Sequence, residues 1–154
     1  MTPWLRSTVC FTTALWLIGC SQMIPIDEVP SSGTIERPLT KDQIKQAIEE
    51  GAYNAGWTPK EVGKGQIAAS YRIRAHDVTV MINYSEDVYQ INYESSREMK
   101  VQCSEEDYTK SKNIIVTGRQ SCPAFQDPLY IHENYGEWIM NLKRSIDQSI
   151  IFAD

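Results

Sequence analysis

The sequence predicts an α+β domain: an antiparallel three- to four-stranded meander in two layers, with an N-terminal and a C-terminal helix on one face. Three patterns predict it. An apolar stripe at helical spacing runs through residues 40–56, clear alternation with Met81 and Val88 as exceptions fills 66–94, and a second helical stripe occupies 131–150.

The elements follow in chain order. Residues 21–38 contain Pro25, Pro30 and Pro38 around Ser31-Ser32-Gly33, with no sustained periodicity, and read as a tether. Fully extended, such a segment reaches about 60 Å at ~3.3 Å per residue. The domain then starts at Leu39. Thr40 with Gln43 makes a capping box, Ile44, Ala47, Ile48, Ala52 and Ala55 form the stripe, and Gly56 suits the left-handed C-terminal position. Trp57 follows as a core plug.

A short strand around residues 60–62 precedes the meander. Ile67, Ala69, Tyr71 and Ile73 share one face, as do Val78, Val80, Ile82 and Tyr84, and then Tyr89, Ile91 and Tyr93. The other face carries Arg72, Arg74, Thr79, Asn83, Gln90, Asn92 and Glu94, a buried side and a wet side. His76-Asp77 and Ser85-Glu86-Asp87 are the expected hairpin breaks. A polar excursion follows between Cys103 and Cys122, with Ile114-Ile115-Val116 suited to a further strand. Finally Ile131, Tyr135, Trp138, Ile139, Leu142 and Ile146 fall at helical spacing over residues 132–150.

Ahead of the domain, Arg6 and the amino terminus precede an apolar run over residues 8–19. This is signal-peptide organisation, and too short to span a bilayer, which needs roughly 20 apolar residues. A buried core helix would show a polar face, and this run offers only Thr12 and Thr13. The run ends in Leu17-Ile18-Gly19-Cys20, which resembles the lipobox of bacterial lipoproteins. The resemblance implies a signal peptide over residues 1–19, cleavage between Gly19 and Cys20, and diacylglycerol and palmitate-type acyl chains on Cys20. Ser21, where an Asp would favour inner-membrane retention, implies the periplasmic face of the outer membrane. One acyl chain binds marginally, at about 0.8 kcal/mol per buried CH₂, whereas several anchor stably.

Loss of residues 1–19 removes Arg6 and no acid, so the formal net charge moves from −5 to −6. An acidic chain without basic clusters disfavours nucleic acid as a partner. Cys10 leaves with the signal and Cys20 is lipidated, which pairs Cys103 with Cys122 in an oxidising compartment. Such a bond contributes roughly 3 kcal/mol in the chain-entropy treatment.

A second resemblance rests on Gly56-Trp57 after a capped helix, on the strand "INYESSREM" and on "IHENYGEWIMNLKRSI". Over residues 39–99 and 131–146 these are similar to a group of small, uncharacterised proteobacterial outer-membrane lipoproteins. The cysteine-bounded excursion departs from that pattern, and the group implies no catalytic residues.

The chemistry-bearing motifs are missing from the sequence: no phosphate loop, no H-E-x-x-H, no G-x-S-x-G and no zinc-spaced cysteines. His76 and His132 have no companion ligands in sequence, and His132 suits the start of a helix, capping backbone donors. Glu49-Glu50 and Glu105-Glu106-Asp107 read as solvated acids. No catalytic residue, metal or cofactor is therefore expected. The wet sheet face, with Arg72 and Arg74 beside Asn83, Gln90 and Asn92, is the candidate partner surface. The expected role is a membrane-anchored, non-catalytic interaction or structural module with an envelope protein as partner. The alternative is a small-ligand or glycan binder using the tyrosine-rich sheet.

Overall fold

The computed structural model describes residues 22–99, 101–102 and 129–153. Gly19, Cys20, Cys103, Cys122 and the expected strand at 114–116 lie outside the described residues. In chain order the elements are β1 (Met23–Pro25), a 3₁₀ turn (Ile26–Glu28), β2 (Ser32–Thr34), α1 (Lys41–Asn54), β3 (Thr58–Gly63), β4 (Gln66–Ile73), β5 (His76–Tyr84), β6 (Val88–Arg97), β7 (Val101–Gln102), β8 (Tyr130–His132) and α2 (Asn134–Phe152). The class is α+β. An antiparallel five-stranded sheet has the order β2-β6-β5-β4-β3, and a small sheet has the order β1-β8-β7.

The meander β3 to β6 matches the expected alternation, and β2 adds a fifth strand from the segment expected to be a tether. That segment is folded from Gln22 onward. Val29 and Ile35 are buried in the core, and Ile24 and Ile26 pack against it. Gly33 lets β2 lie across the ring of Tyr89: a Cβ there would stand 2.6 Å from Tyr89 Cζ. Apolar residues scattered among prolines carry no period, yet each can still be buried singly by pairing to a distant strand.

Helix α1 begins as its sequence dictates. The Gln43 N–H donates to Thr40 Oγ1 (3.3 Å), and the Thr40 N–H donates to Gln43 Oε1 (2.8 Å), the reciprocal capping box. Gly56 follows the helix at φ 83°, and Trp57 is buried.

Two departures occur in the meander. The β4–β5 turn is Arg74-Ala75, because Ile73 pairs with His76, and Arg74 takes φ 55°. His76 and Asp77 therefore open β5, one facing inward and the other outward. In β6 the register slips between Thr79 and Val80: Val80 faces Tyr93 but Thr79 faces Ser95. Glu94 is the extra residue of this bulge. Beyond it the alternation inverts, so Ser96 is buried and hydrogen-bonds to the Tyr93 hydroxyl at 2.8 Å.

The inward residues of β4, β5 and β6 form one core with Ile44, Ala47, Ile48 and Ala52 of α1 and Tyr135, Ile139, Leu142, Ile146 and Ile150 of α2. Helix α2 runs antiparallel to β6: the Tyr89 hydroxyl donates to Asp147 Oδ1 (2.6 Å), while Tyr93 meets Tyr135 edge-on at 5.8 Å. It also runs antiparallel to α1. Gly51 abuts Ile146, and Arg37, just ahead of α1, donates from Nη1 to the carbonyls of Ile151 (2.7 Å) and Ala153 (2.6 Å) at the end of α2. A cation on the orphan carbonyls of a helix C-terminus also complements its dipole.

Candidate functional site

The outward face of the large sheet is organised by register into cross-strand rows. At one end Gln66 pairs with Asn83, Asn83 with Gln90, and Gln90 with Ser32. The Gln66 side-chain amide donates to Asn83 Oδ1 at 3.0 Å. Around this row lies a shallow hollow of about 450 Å³, lined by Ser32, Asn83, Tyr84, Ser85, Val88 and Gln90. Val88 is 45% exposed, so the hollow combines a neutral amide shelf with one apolar side chain. Burial, and secondarily Glu61, raises the Tyr84 phenol above its ordinary range, leaving it a neutral donor at physiological pH.

The middle of the face is uncharged between strands β4 and β5, with Ser70 and Thr79 joined through their hydroxyls at 3.1 Å. Asn92 sits opposite Met81, one row from Gln90.

At the far end Arg72, Asp77 and Arg97 form a row of their own. Arg72 Nη2 and Nε donate to Asp77 Oδ2 at 2.6 and 3.1 Å, and Arg97 Nη2 lies 3.6 Å from the same oxygen. Arg72 and Gln66 are six residues apart on one strand, about 20 Å. The face therefore brings Asn83, Gln90 and Asn92 together and separates them from Arg72 and Arg74. Arg72 is spent on Asp77, and Arg74 belongs to the turn. Ser32, Asp77 and Arg97 complete the two clusters. The sequence pattern puts Asp77 in a turn and Ser32 in a tether, so it points to neither as part of this face.

On the inward side, Trp57 stacks on Tyr71 (5.1 Å between centroids), Tyr71 meets Trp138 (5.3 Å), and Trp138 meets His76 (6.4 Å). These rings wall the core, and His76 Nδ1 is bonded to the Glu98 carbonyl. His132 Nδ1 accepts from the Asn134 N–H at 3.2 Å, the expected helix-start role. A cleft of about 390 Å³ opens between Val29, Ser31, Ile91, Tyr93, Leu129 and Tyr135. Burial raises the phenols of both Tyr93 and Tyr135, and Tyr93 adds to the shift of Tyr135, so neither can act as a base near neutrality.

Among the described residues no three His, Cys, Asp or Glu side chains converge to hold a metal. No helix among them is long and apolar enough to cross a membrane. No family model, curated protein or solved structure matches the chain.

Proposed function

We propose that the chain is a lipid-anchored module of the cell envelope, non-catalytic, that binds an envelope protein through the outward face of its sheet. In this reading residues 1–19 are a lipoprotein signal peptide, Cys20 carries the acyl chains, and the protein occupies the periplasmic face of the outer membrane. Two helices layered on one sheet face leave the other for contact. The observation that carries the reading is Leu17-Ile18-Gly19-Cys20 at the end of a short apolar run. Support for the contact surface comes from the hollow around Asn83 and Gln90, which offers amide donors and acceptors without a charge of its own.

Labelled palmitate should enter the wild type and fail to enter Cys20→Ala, which should also stay unprocessed. A photoreactive residue in place of Gln90 should then capture an envelope protein in intact cells, whereas one in place of Tyr53 on α1 should not. Equal capture at both positions, or none at Gln90, rejects the sheet face as the contact.

The cleft beside Tyr93 and Tyr135 favours a second reading, a binder of a small ligand or glycan. It predicts quenching of tyrosine and tryptophan emission by envelope glycans, unaffected by substitution at Asn83, which lines the hollow and not the cleft.

A further inference from the structure

The chain between the acylated position and the folded domain is short. The Gln22 carbonyl already accepts from the Glu133 N–H at 3.0 Å. Met23, Ile24 and Pro25 pair with His132, Ile131 and Tyr130, and the Ile26 N–H donates to the Leu129 carbonyl at 2.8 Å. Ile24 and Ile26 also pack against the core, which holds β1 by its side chains as well as its backbone. An extended chain advances about 3.3–3.6 Å per residue, so the Cα of Cys20 lies within about 7 Å of that of Gln22. Each headgroup layer of a bilayer is about 5–8 Å thick. A cysteine whose acyl chains enter the hydrocarbon thus leaves Gln22 at the outer surface of the headgroups.

We infer that the edge formed by Gln22, Met23, His132 and Asn134 is a membrane-apposed face, seated on the phospholipid headgroups of the bilayer that holds the anchor. The inference rests on the acylation of Cys20 proposed above. The face is suited to headgroups and not to hydrocarbon: Gln22 and Asn134 are exposed and polar, and His132 is half-buried. The same end of the domain carries charges of both signs: Arg72, Asp77 and Arg97 share a row, and His76 beside them contacts both Trp138 near the start of α2 and the Glu98 carbonyl. Proximity is therefore imposed by chain length and not by attraction to lipid charge, and salt should not release it. Helix α2 leads away from this edge. Its 19 residues span 18 rises of about 1.5 Å, which puts Phe152 about 27 Å from Asn134.

The full-length, processed protein tests this in native membranes. A photoreactive residue in place of Asn134 should crosslink to radiolabelled phospholipid several-fold more than one in place of Phe152, at low and at high salt. Insertion of roughly ten Gly/Ser residues between Ser21 and Gln22 adds about 17 Å of reach and should erase the difference. Palmitate labelling is measured on the same samples. With label present, equal crosslinking at the two positions, or an excess at Phe152, overturns the inference and leaves the anchor intact. A bias that survives the spacer also overturns it, because chain length is then not the cause. Absence of label removes the anchor, and the inference with it.

Discussion

Gly51→Ala sets two known effects against each other at the crossing of α1 and α2. In an isolated helix the change gains about 1 kcal/mol, because glycine is the poorer helix former. Here a Cβ would stand 2.6 Å from Ile146 Cα, 2.8 Å from its nitrogen and 2.9 Å from the Ser145 carbonyl oxygen. All three are backbone atoms of the facing helix, so no rotamer change relieves the clash. Ordinary contact begins at 3.4 Å, which requires the helices to part by about 1 Å, enough to forfeit a quarter to a half of each contact well across the seam. The seam is fully buried at Ile48, Ala52, Leu142 and Ile146. Overpacking of this kind costs about 1–3 kcal/mol. The net expectation is a loss of about 0–2 kcal/mol and a melting temperature lower by about 4 °C per kcal/mol. Thermal circular dichroism of the processed protein in micelles measures it, with Gln46→Ala on the exposed side of α1 as the neutral control. A Gly51→Ala protein about 1 kcal/mol more stable than the wild type, the isolated-helix outcome, would refute close helix packing at this point.

Alkaline pH should destabilise the domain. Burial raises the phenols of Tyr89, Tyr93 and Tyr135, with Asp147 adding to the shift at Tyr89 and Ser96 opposing it at Tyr93. Raised folded values mean that the folded state keeps protons that the unfolded chain releases, so their contribution is complete below about pH 10 and lost as pH rises beyond it, at about 1.4 kcal/mol per pH unit for each fully buried phenol. Absorbance titration should show these phenols ionising only with unfolding; their ionisation in the folded protein contradicts this. Arg37→Ala should cost about 1 kcal/mol by uncapping α2, while Arg37→Lys should recover part of that in thermal melts. Replacing both Arg72 and Arg97 by Glu should leave crosslinks from position 90 intact, since those arginines belong to the other end of the sheet; loss of the crosslinks restores them to the contact. Non-reducing peptide mapping should find Cys103 linked to Cys122, and two free thiols in periplasmic material reject the pairing.

Local order was legible where one short stretch carries its whole signal. Thr40 and Gln43 cap within one turn, and the inward set from Ile67 to Ile91 alternates without help from distant residues. What depended on distant partners was hidden. Ser32-Gly33-Thr34 becomes a strand only because Gln90, Tyr89 and Val88 are there to pair with it. Arg37 finds its carbonyls more than a hundred residues away. The hairpin at Arg74-Ala75 was misplaced by two residues because an arginine at φ 55° defies the usual Gly, Asn or Asp signal. That slip propagated to the site: with Asp77 assigned to a turn, Arg72 looked unpaired, whereas on the strand Asp77 is its direct cross-strand partner. Gly51 did have a signal, a glycine on the apolar face one turn after Ile48, which marks close approach of a neighbour when the helix is otherwise well formed.

The two ends of the sheet then take different parts. Arg72, Arg74 and Arg97 lie at the end where α2 begins, and under the proposed acylation of Cys20 a membrane seated there would shield that end from a soluble partner. The Asn83–Gln90 hollow lies toward the other end, with the β5–β6 turn, where the Ile35 N–H donates to the Asp87 carbonyl and Arg37 reaches the end of α2. Ile151 and Phe152, 60% and 78% exposed, stand at that same end. With only Ser21 between Cys20 and Gln22, a domain anchored through Cys20 as proposed would not swing outward to search for a partner. In the proposed arrangement a partner would come to the membrane surface, and the hollow left open to it is lined by uncharged, amide-bearing side chains, with the Lys41–Glu86 ion pair and exposed apolar side chains at the same end. Such a surface selects by shape and hydrogen bonding more than by charge, so association at the hollow should vary little with ionic strength, whereas a contact centred on the arginines would weaken as salt screens it.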